Sequence, residues 1–408
     1  MSEIFLNGAV GRPSNIPPPS RAPLGFHSRL PGYAPTPLLA AHDLAAELGV
    51  GQLWLKHEAD RFGLLAFKIL GASWAIRCLL KERLSIPDDA WSDLDQLRQS
   101  FASSPFAVAS ATDGNHGRGV ARMARLLGLA ARIYMPAGAS AARIEAIKSE
   151  GATVVVRGTY DDAVARAAKE TDGTGLLIQD TAWDGYEQIP GWIVEGYSTM
   201  LWEIDDALEQ MHEPGPTHVF VQMGVGSLAE AVVRHYCRNG QSPLIIGVEP
   251  DQAACVMAAV KAGKIVHLPG HQHSLMAGLN CGTASSISFP ILQAGMDCFL
   301  AIGDARAREA MRLLARHRIV AGETGVAGLA GLLHLLSSVL AEEDRTRLHL
   351  DHTSRILVIL TEGPTDPDTY EDVVGKPPQN ISQPAMSQRG GFRFLTSDRF
   401  RRTIEGGE

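Results

Sequence analysis

Short apolar runs separated by helix-length segments fill the middle of this chain, and few folds accept that pattern. Runs at 52–57, 106–111, 131–135, 153–157, 176–179, 219–223, 244–248 and 356–360 read as strands. Helical spacing occupies roughly 41–48, 68–84, 117–127, 141–149, 161–169, 193–211, 228–238, 251–262, 305–316 and 326–340. An antiparallel pair is closed by a few turn residues, whereas a parallel pair needs a crossover of a dozen residues or more, usually a helix. Strands that are apolar throughout, without polar alternation, belong to sheets covered on both faces. The expectation is an α/β protein: a large domain with a parallel or mixed sheet, a smaller inserted α/β domain, and a cleft between them. Linker-like stretches at 91–104 and near 186–190 mark the smaller domain as 85–185, leaving 38–84 and 186–375 to the larger. Residues 1–37, rich in Pro and Gly with Ile16-Pro17-Pro18-Pro19, are expected to be an arm without regular structure. The segment 376–408 loses all periodicity and is expected to be a mobile tail whose arginines are solvated.

Charge narrows the partners. The net charge is -8, with both signs interspersed, which argues against nucleic acid or an anionic membrane. The five cysteines, at 78, 237, 255, 281 and 298, are an odd number without C-x-x-C spacing. They suit a reducing compartment and suggest neither a zinc site nor a disulfide framework. No cationic-then-apolar leader opens the sequence and no run is long enough to span a bilayer, so the expected location is the cytoplasm.

The chemistry gathers on a few loops. In Ala66-Phe67-Lys68-Ile69-Leu70-Gly71 a lysine stands among apolar neighbours at a helix start. Burial favours the neutral amine, the form that makes a Schiff base with an aldehyde cofactor. A lysine running its stem along an apolar face with its charge in water is the plainer account of the residue taken alone.

Gly224-Val225-Gly226-Ser227-Leu228 follows a strand and opens a helix, where backbone N–H groups and the helix dipole can hold a phosphate. With Ala229 the same run fits G-x-G-x-x-A, and Glu249 ends the next strand where a ribose-binding acid would stand, so a nicotinamide-dependent dehydrogenase is a rival reading. Thr112-Asp113-Gly114-Asn115-His116 lies between a strand and a helix and sets a carboxylate, an amide and an imidazole together. Thr112 or Asn115 can equally cap that helix. Asp180 and Thr361 each stand just beyond a strand's carboxyl end, where ligands of parallel sheets settle.

In these motifs the chain resembles the fold-type II pyridoxal-phosphate enzymes, the tryptophan-synthase-β-like group, and within it the diaminopropionate ammonia-lyase family. The matching runs are HEADRFGLLAFKILGAS, ATDGNHGRGVA, IYMPAGASAARIEAI, QDTAWDGY, GVGSLAEAV, AGLNCG, AGETGVAGL and LTEGPTDPDTY, in the family's order over about residues 35–375. The resemblance implies that Lys68 carries pyridoxal 5'-phosphate. It implies that Asn115 meets the cofactor's 3-oxygen, that Gly224, Val225, Gly226, Ser227 and Leu228 cradle its phosphate, and that Thr361 faces the ring nitrogen. It implies α,β-elimination of D- and L-2,3-diaminopropionate to pyruvate and ammonia, with Asp113 as base for the D form and Asp180 for the L form. Thr112, Asp113, His116 and Asp180 are the expected substrate contacts, no metal is expected, and a homodimer is implied.

A serine/threonine-type dehydratase is the alternative, although that group carries a small residue where Asp113 stands. A non-catalytic binding protein of the same fold is the reading from another class. Leu65 stands where the family usually has a polar residue, and Glu230 stands where small residues are commoner; Glu230 is expected to point outward along its helix.

Overall fold

A computed structural model of the chain describes residues 2–8, 10–11, 19–85, 87, 93–100, 102, 106–171, 175–237, 243–337, 341–381 and 392–393. Twelve strands are found among them: β1 (Glu3–Leu6), β2 (Leu38–Ala41), β3 (Gln52–His57), β4 (Ala107–Ala111), β5 (Ala130–Met135), β6 (Thr153–Val156), β7 (Gly175–Leu177), β8 (His218–Gln222), β9 (Leu244–Pro250), β10 (Cys298–Ile302), β11 (Arg355–Leu360) and β12 (Phe392–Arg393). Eight form one sheet in the order β1-β10-β9-β8-β11-β3-β2-β12, and four form a second in the order β6-β5-β4-β7.

Parallel pairing runs from β10 through β9, β8 and β11 to β3, and through the whole second sheet. Antiparallel pairs occur only toward the margins of the larger sheet, at β1–β10, β2–β3 and β2–β12. This is the mixed and parallel α/β arrangement that the strand–helix alternation implies. The central strands β8, β10 and β11 are buried nearly throughout because large apolar clusters cover both faces.

Three stretches differ from the expectation. The supposed irregular arm contains β1, paired with β10, and a helix Ala22–His27 begun by a proline in its first turn. β10 and β2 lack a strand assignment in the sequence reading, since four- and five-residue apolar runs fit a strand or a buried helix equally well. Of the tail, residues 382–391 and 394–408 lie outside the described residues. Pro378–Asn380 forms a helical turn, and Phe392–Arg393 pairs with β2.

The helix Ile69–Leu84 connects the two sheets. Every residue from Ile69 to Leu80 is buried, so this helix has no solvent face in its first three turns. It is wedged between the helices Asn115–Leu127 and Gln188–Met211, and glycines make the fit possible. A Cβ at Gly119 would stand 2.9 Å from the Ile69 backbone, and one at Gly196 would stand 2.5 Å from the Leu70 carbonyl oxygen. Burying each large aliphatic side chain along this helix contributes ~1.5–3 kcal/mol. The return is a helix start that cannot shift without moving both sheets.

Candidate functional site

Lys68 is the N-cap residue of that helix. The backbone leading to it is pinned from two directions. Phe67 N–H donates to Thr361 O at 3.2 Å and Gly363 N–H donates to Leu65 O at 2.8 Å, so the segment is stitched to the loop after β11. Arg118 and Arg122, on the helix Asn115–Leu127, donate to the carbonyls of Leu64 and Phe62. Phe62 (φ 52°) and Leu65 (φ 61°) occupy the left-handed region, at a cost of ~1–2 kcal/mol each. Strain of that kind persists where surrounding bonds impose it.

One cleft collects Lys68, Thr112, Asp113, Asn115, His116, Asp180, Gly224 to Leu228 and Thr361. It holds about 900 Å³ of non-protein space, part of it continuous with solvent. Lys68 Nζ donates to Asp180 Oδ2 at 2.8 Å, with the lysine side chain 24% and the aspartate side chain 12% exposed. Burial alone would lower the lysine, but the Asp180 carboxylate outweighs it and holds Lys68 protonated, above its ordinary range. The neutral amine expected from the apolar neighbours is therefore not found in the chain by itself. Its partner is 112 residues away, and no local pattern announces it. Burial opposes ionisation of Asp180, yet the Lys68 ammonium outweighs it and brings it down to about 2.

Asp113 behaves in the opposite way. Burial pushes it up to about 6, against the pull of Arg143 and with a smaller push from Asp180. Thr112 Oγ1 accepts from Gly114 N–H (2.9 Å) and Gly117 N–H (3.1 Å), so the hydroxyl shapes the loop and the helix start while lining the cleft. His116 Nε2 lies 2.8 Å from Ile178 O.

At the glycine turn, Gly226 has φ 104°, and a Cβ there would meet Leu292 Cδ1 at 2.6 Å. The helix Ser227–Tyr236 begins at once, so its first N–H groups have no intrahelical acceptor. Ser227 Oγ donates to Asp180 O at 3.0 Å and ties this turn to the end of the small sheet. Glu230 is not outward: it is 1% exposed, accepting from Arg234 Nε at 2.8 Å and Ser288 Oγ at 2.7 Å. Paired in this way, it lines no part of the cleft. Glu249 is also elsewhere. Its two oxygens accept from Val256 N–H and Met257 N–H at the start of the helix Cys255–Ala262, and burial pushes it up to about 8. A carboxylate committed to a helix start cannot hold a ribose, and the dinucleotide reading loses its acid.

Thr361 Oγ1 accepts from Gln222 Nε2 at 2.8 Å, which leaves its own O–H free to donate. The sequence reading missed its neighbours. Glu362, 2% exposed, accepts from Asn115 Nδ2 and from Thr324 N–H, and Arg143 Nη2 pairs with Glu323 at 2.6 Å. Burial raises both glutamates, and each borders on the other. Their only sequence signal is a place beside Thr361 and within the run AGETGVAGL.

Comparisons with known proteins bear on the family and the fold. Residues 29–362 match the model of the family described as pyridoxal-phosphate dependent enzyme. The diaminopropionate ammonia-lyase of Salmonella typhimurium is 39% identical over 386 residues, covering 91% of this chain and 93% of that protein. The crystal structure of diaminopropionate ammonia lyase from Escherichia coli with an aminoacrylate-PLP azomethine reaction intermediate superposes with a TM-score of 0.83 at 36% identity, covering 92% of this chain and 97% of that one. The same Escherichia coli enzyme in complex with D-serine gives 0.84 at 35% identity, covering 94% and 99%.

Proposed function

Because the chain belongs to the pyridoxal-phosphate dependent enzymes, and among them to the diaminopropionate ammonia-lyase family, we propose that it eliminates ammonia from D- and L-2,3-diaminopropionate to give pyruvate and a second ammonia. The observation that carries this reading is the opposition, across one cleft, of Lys68 and the glycine turn 224–228, with Asp113 and Asp180 beside them.

The residues fit pyridoxal phosphate. A primary amine stands in the same cleft as a helix start, where Gly226 keeps the backbone bare and unpaired N–H groups suit a phosphate. The carboxylate nearest in sequence, Glu230, is already paired away from the cleft. Lys68 would hold the aldehyde carbon, residues Gly224 to Leu228 the phosphate, Asn115 the 3-oxygen and Thr361 the ring nitrogen. When bound, the cofactor supplies a carbonyl that captures the substrate's α-amino group and a conjugated ring that draws electrons from Cα.

The chain supplies the bases. While Lys68 is cationic it holds Asp180 at about 2, a weak base. Loss of the lysine's charge removes that hold, and burial then raises the carboxylate. Asp180 gains basicity only once the amine is neutral, and we assign it the Cα proton of the L isomer. Asp113, at about 6, is poised near neutrality, where a general base works best, and we assign it the proton of the D isomer. Acidic walls also favour a substrate with a second ammonium group over one with a hydroxyl, which separates this reading from a serine/threonine dehydratase.

We assign 38–84 and 186–375 to a larger domain and 85–185 to a smaller one, with the cleft between. A cytoplasmic homodimer completes the reading: Cys78, Cys237, Cys255, Cys281 and Cys298 form no disulfide, in keeping with a reducing compartment. Among the described residues no helix is long and apolar enough to cross a membrane. Sedimentation equilibrium tests the assembly.

The decisive measurement is pyruvate release from D- and L-diaminopropionate and from serine, with borohydride trapping to locate the cofactor. Preference for both diaminopropionates and a label on Lys68 are expected. A cofactor trapped elsewhere, or serine as the better substrate, would overturn the reading.

A further inference from the structure

The two nitrogens of His116 are used differently. The ring is buried, 4% exposed. Nε2 lies 2.8 Å from Ile178 O, and because a carbonyl only accepts, Nε2 carries the hydrogen. Burial keeps the imidazole neutral against the pull of Asp180. Nδ1 is then a bare lone pair, buried and without a hydrogen-bond partner, 3.8 Å from Asp180 Oδ2. Lys68 and Asp180 are the charged groups that face it. Two acceptors facing each other at this distance are unbonded, and an unpaired buried acceptor costs ~1–3 kcal/mol. The same Oδ2 already receives Lys68 Nζ. What the pair lacks is one proton.

We infer that His116 is a positioning residue for Asp180, its unprotonated Nδ1 receiving the O–H that forms when Asp180 takes the Cα proton of the L substrate. The inference rests on the assignment of Asp180 as that base. In the step, the Cα–H bond breaks and its electron pair stays with the substrate. The proton forms an O–H bond at Oδ2, and that O–H turns to Nδ1. A shift of about 1 Å between the two side chains brings 3.8 Å to hydrogen-bonding distance. The pairing stabilises the protonated carboxyl relative to the carboxylate, which is the direction a base needs during proton abstraction.

A purely structural role, fastening Asp180's strand end through Ile178, predicts the reverse behaviour for two variants. His116→Gln keeps an amide donor near the Nε2 position and deletes the acceptor facing Asp180. His116→Asn offers an oxygen near the Nδ1 position and loses the bond to Ile178. In the cofactor-loaded enzyme, His116→Gln is expected to lower kcat on the L isomer on the order of 10–100-fold, the usual size for loss of an outer partner. The loss should fall more heavily on kcat for the L isomer than for the D isomer, and His116→Asn should lose less L turnover than His116→Gln.

Nitrogen NMR of the imidazole in the cofactor-free protein is expected to find Nδ1 without a proton. Gln rescuing where Asn fails, equal losses on both isomers, an unaffected Gln variant or a protonated Nδ1 would each overturn the inference. Asp180→Asn, assayed alongside, separates the two levels. If it spares L turnover, the base assignment itself falls; if it abolishes L turnover while the histidine variants behave structurally, only the role of His116 falls.

Discussion

Two lysines sit in apolar sequence, and the protein treats them in opposite ways. Lys56, in β3, is fully buried. Its ammonium donates to Glu203 at 2.6 Å and to Thr36 O at 2.7 Å, with Glu58 at 3.9 Å. Arg61 closes the group by donating to Glu58 and to both oxygens of Glu203. Two cations and two carboxylates balance, and hydrogen bonds surround each of them. Burial lowers Lys56, yet the same partners draw Glu203 below its ordinary range despite the burial that opposes it. Lys68 has one carboxylate partner, partial exposure and a cavity in front of it. Around it stand polar atoms without partners, including His116 Nδ1, Thr181 Oγ1 and Gln222 Oε1. A satisfied buried charge holds a fold together, whereas an under-satisfied one beside a cavity is available for chemistry.

Substitutions should separate the two lysines cleanly. Lys68→Ala is expected to cut pyruvate formation by on the order of 10⁴ or more, while costing less unfolding free energy than the loss of Lys56, because Asp180 borders a cavity and can take up a proton. A comparable loss of stability would erase the contrast. Lys56→Met should do the converse, lowering the unfolding free energy by ~3–5 kcal/mol because the buried Glu203 loses one of its two cations. Its folded fraction should turn over substrate within about threefold of the parent.

A pH titration sharpens the comparison on the carboxylate side. Asp113 must be ionised to take a proton, so D-isomer turnover should fall about tenfold per unit below pH 6 and level off above it. Asp180, freed of the Lys68 charge once the amine is neutral, titrates in its own surroundings and should give the L isomer a separate acid limb; coincident limbs would contradict the two-base assignment. The smallest effect belongs at the surface. Arg21 pairs with Asp206 where the side chains are 51% and 37% exposed, and Arg21→Ala should move stability by less than about 1 kcal/mol.

The pair of lysines also marks how far the sequence can be read. Leu53-Trp54-Leu55-Lys56 and Phe67-Lys68-Ile69-Leu70 carry the same local signal. What tells them apart is Glu203, 147 residues from Lys56, and Asp180, 112 residues from Lys68. Local chemistry was legible: the turn at Gly224 to Leu228 and the loop from Thr112 to His116 are each contiguous, and both reach the cleft. Pairings between distant segments were not. Arg143 with Glu323, Asn115 with Glu362 and the inward, satisfied Glu230 depend on which elements the fold brings together. The same limit hid β1, whose only reason to be a strand is the edge of β10.

The stitching of residues 65–67 to residues 361–363 joins nearly the two ends of the matched region. β11 fills the gap between β8 and β3, so one of the two anchors of the lysine's backbone arrives only with the last long strand of the sheet. A chain that stopped short of Thr361 would carry the amine and the glycine turn but lack this tether and the part of the cleft lined by Thr361 and Glu362.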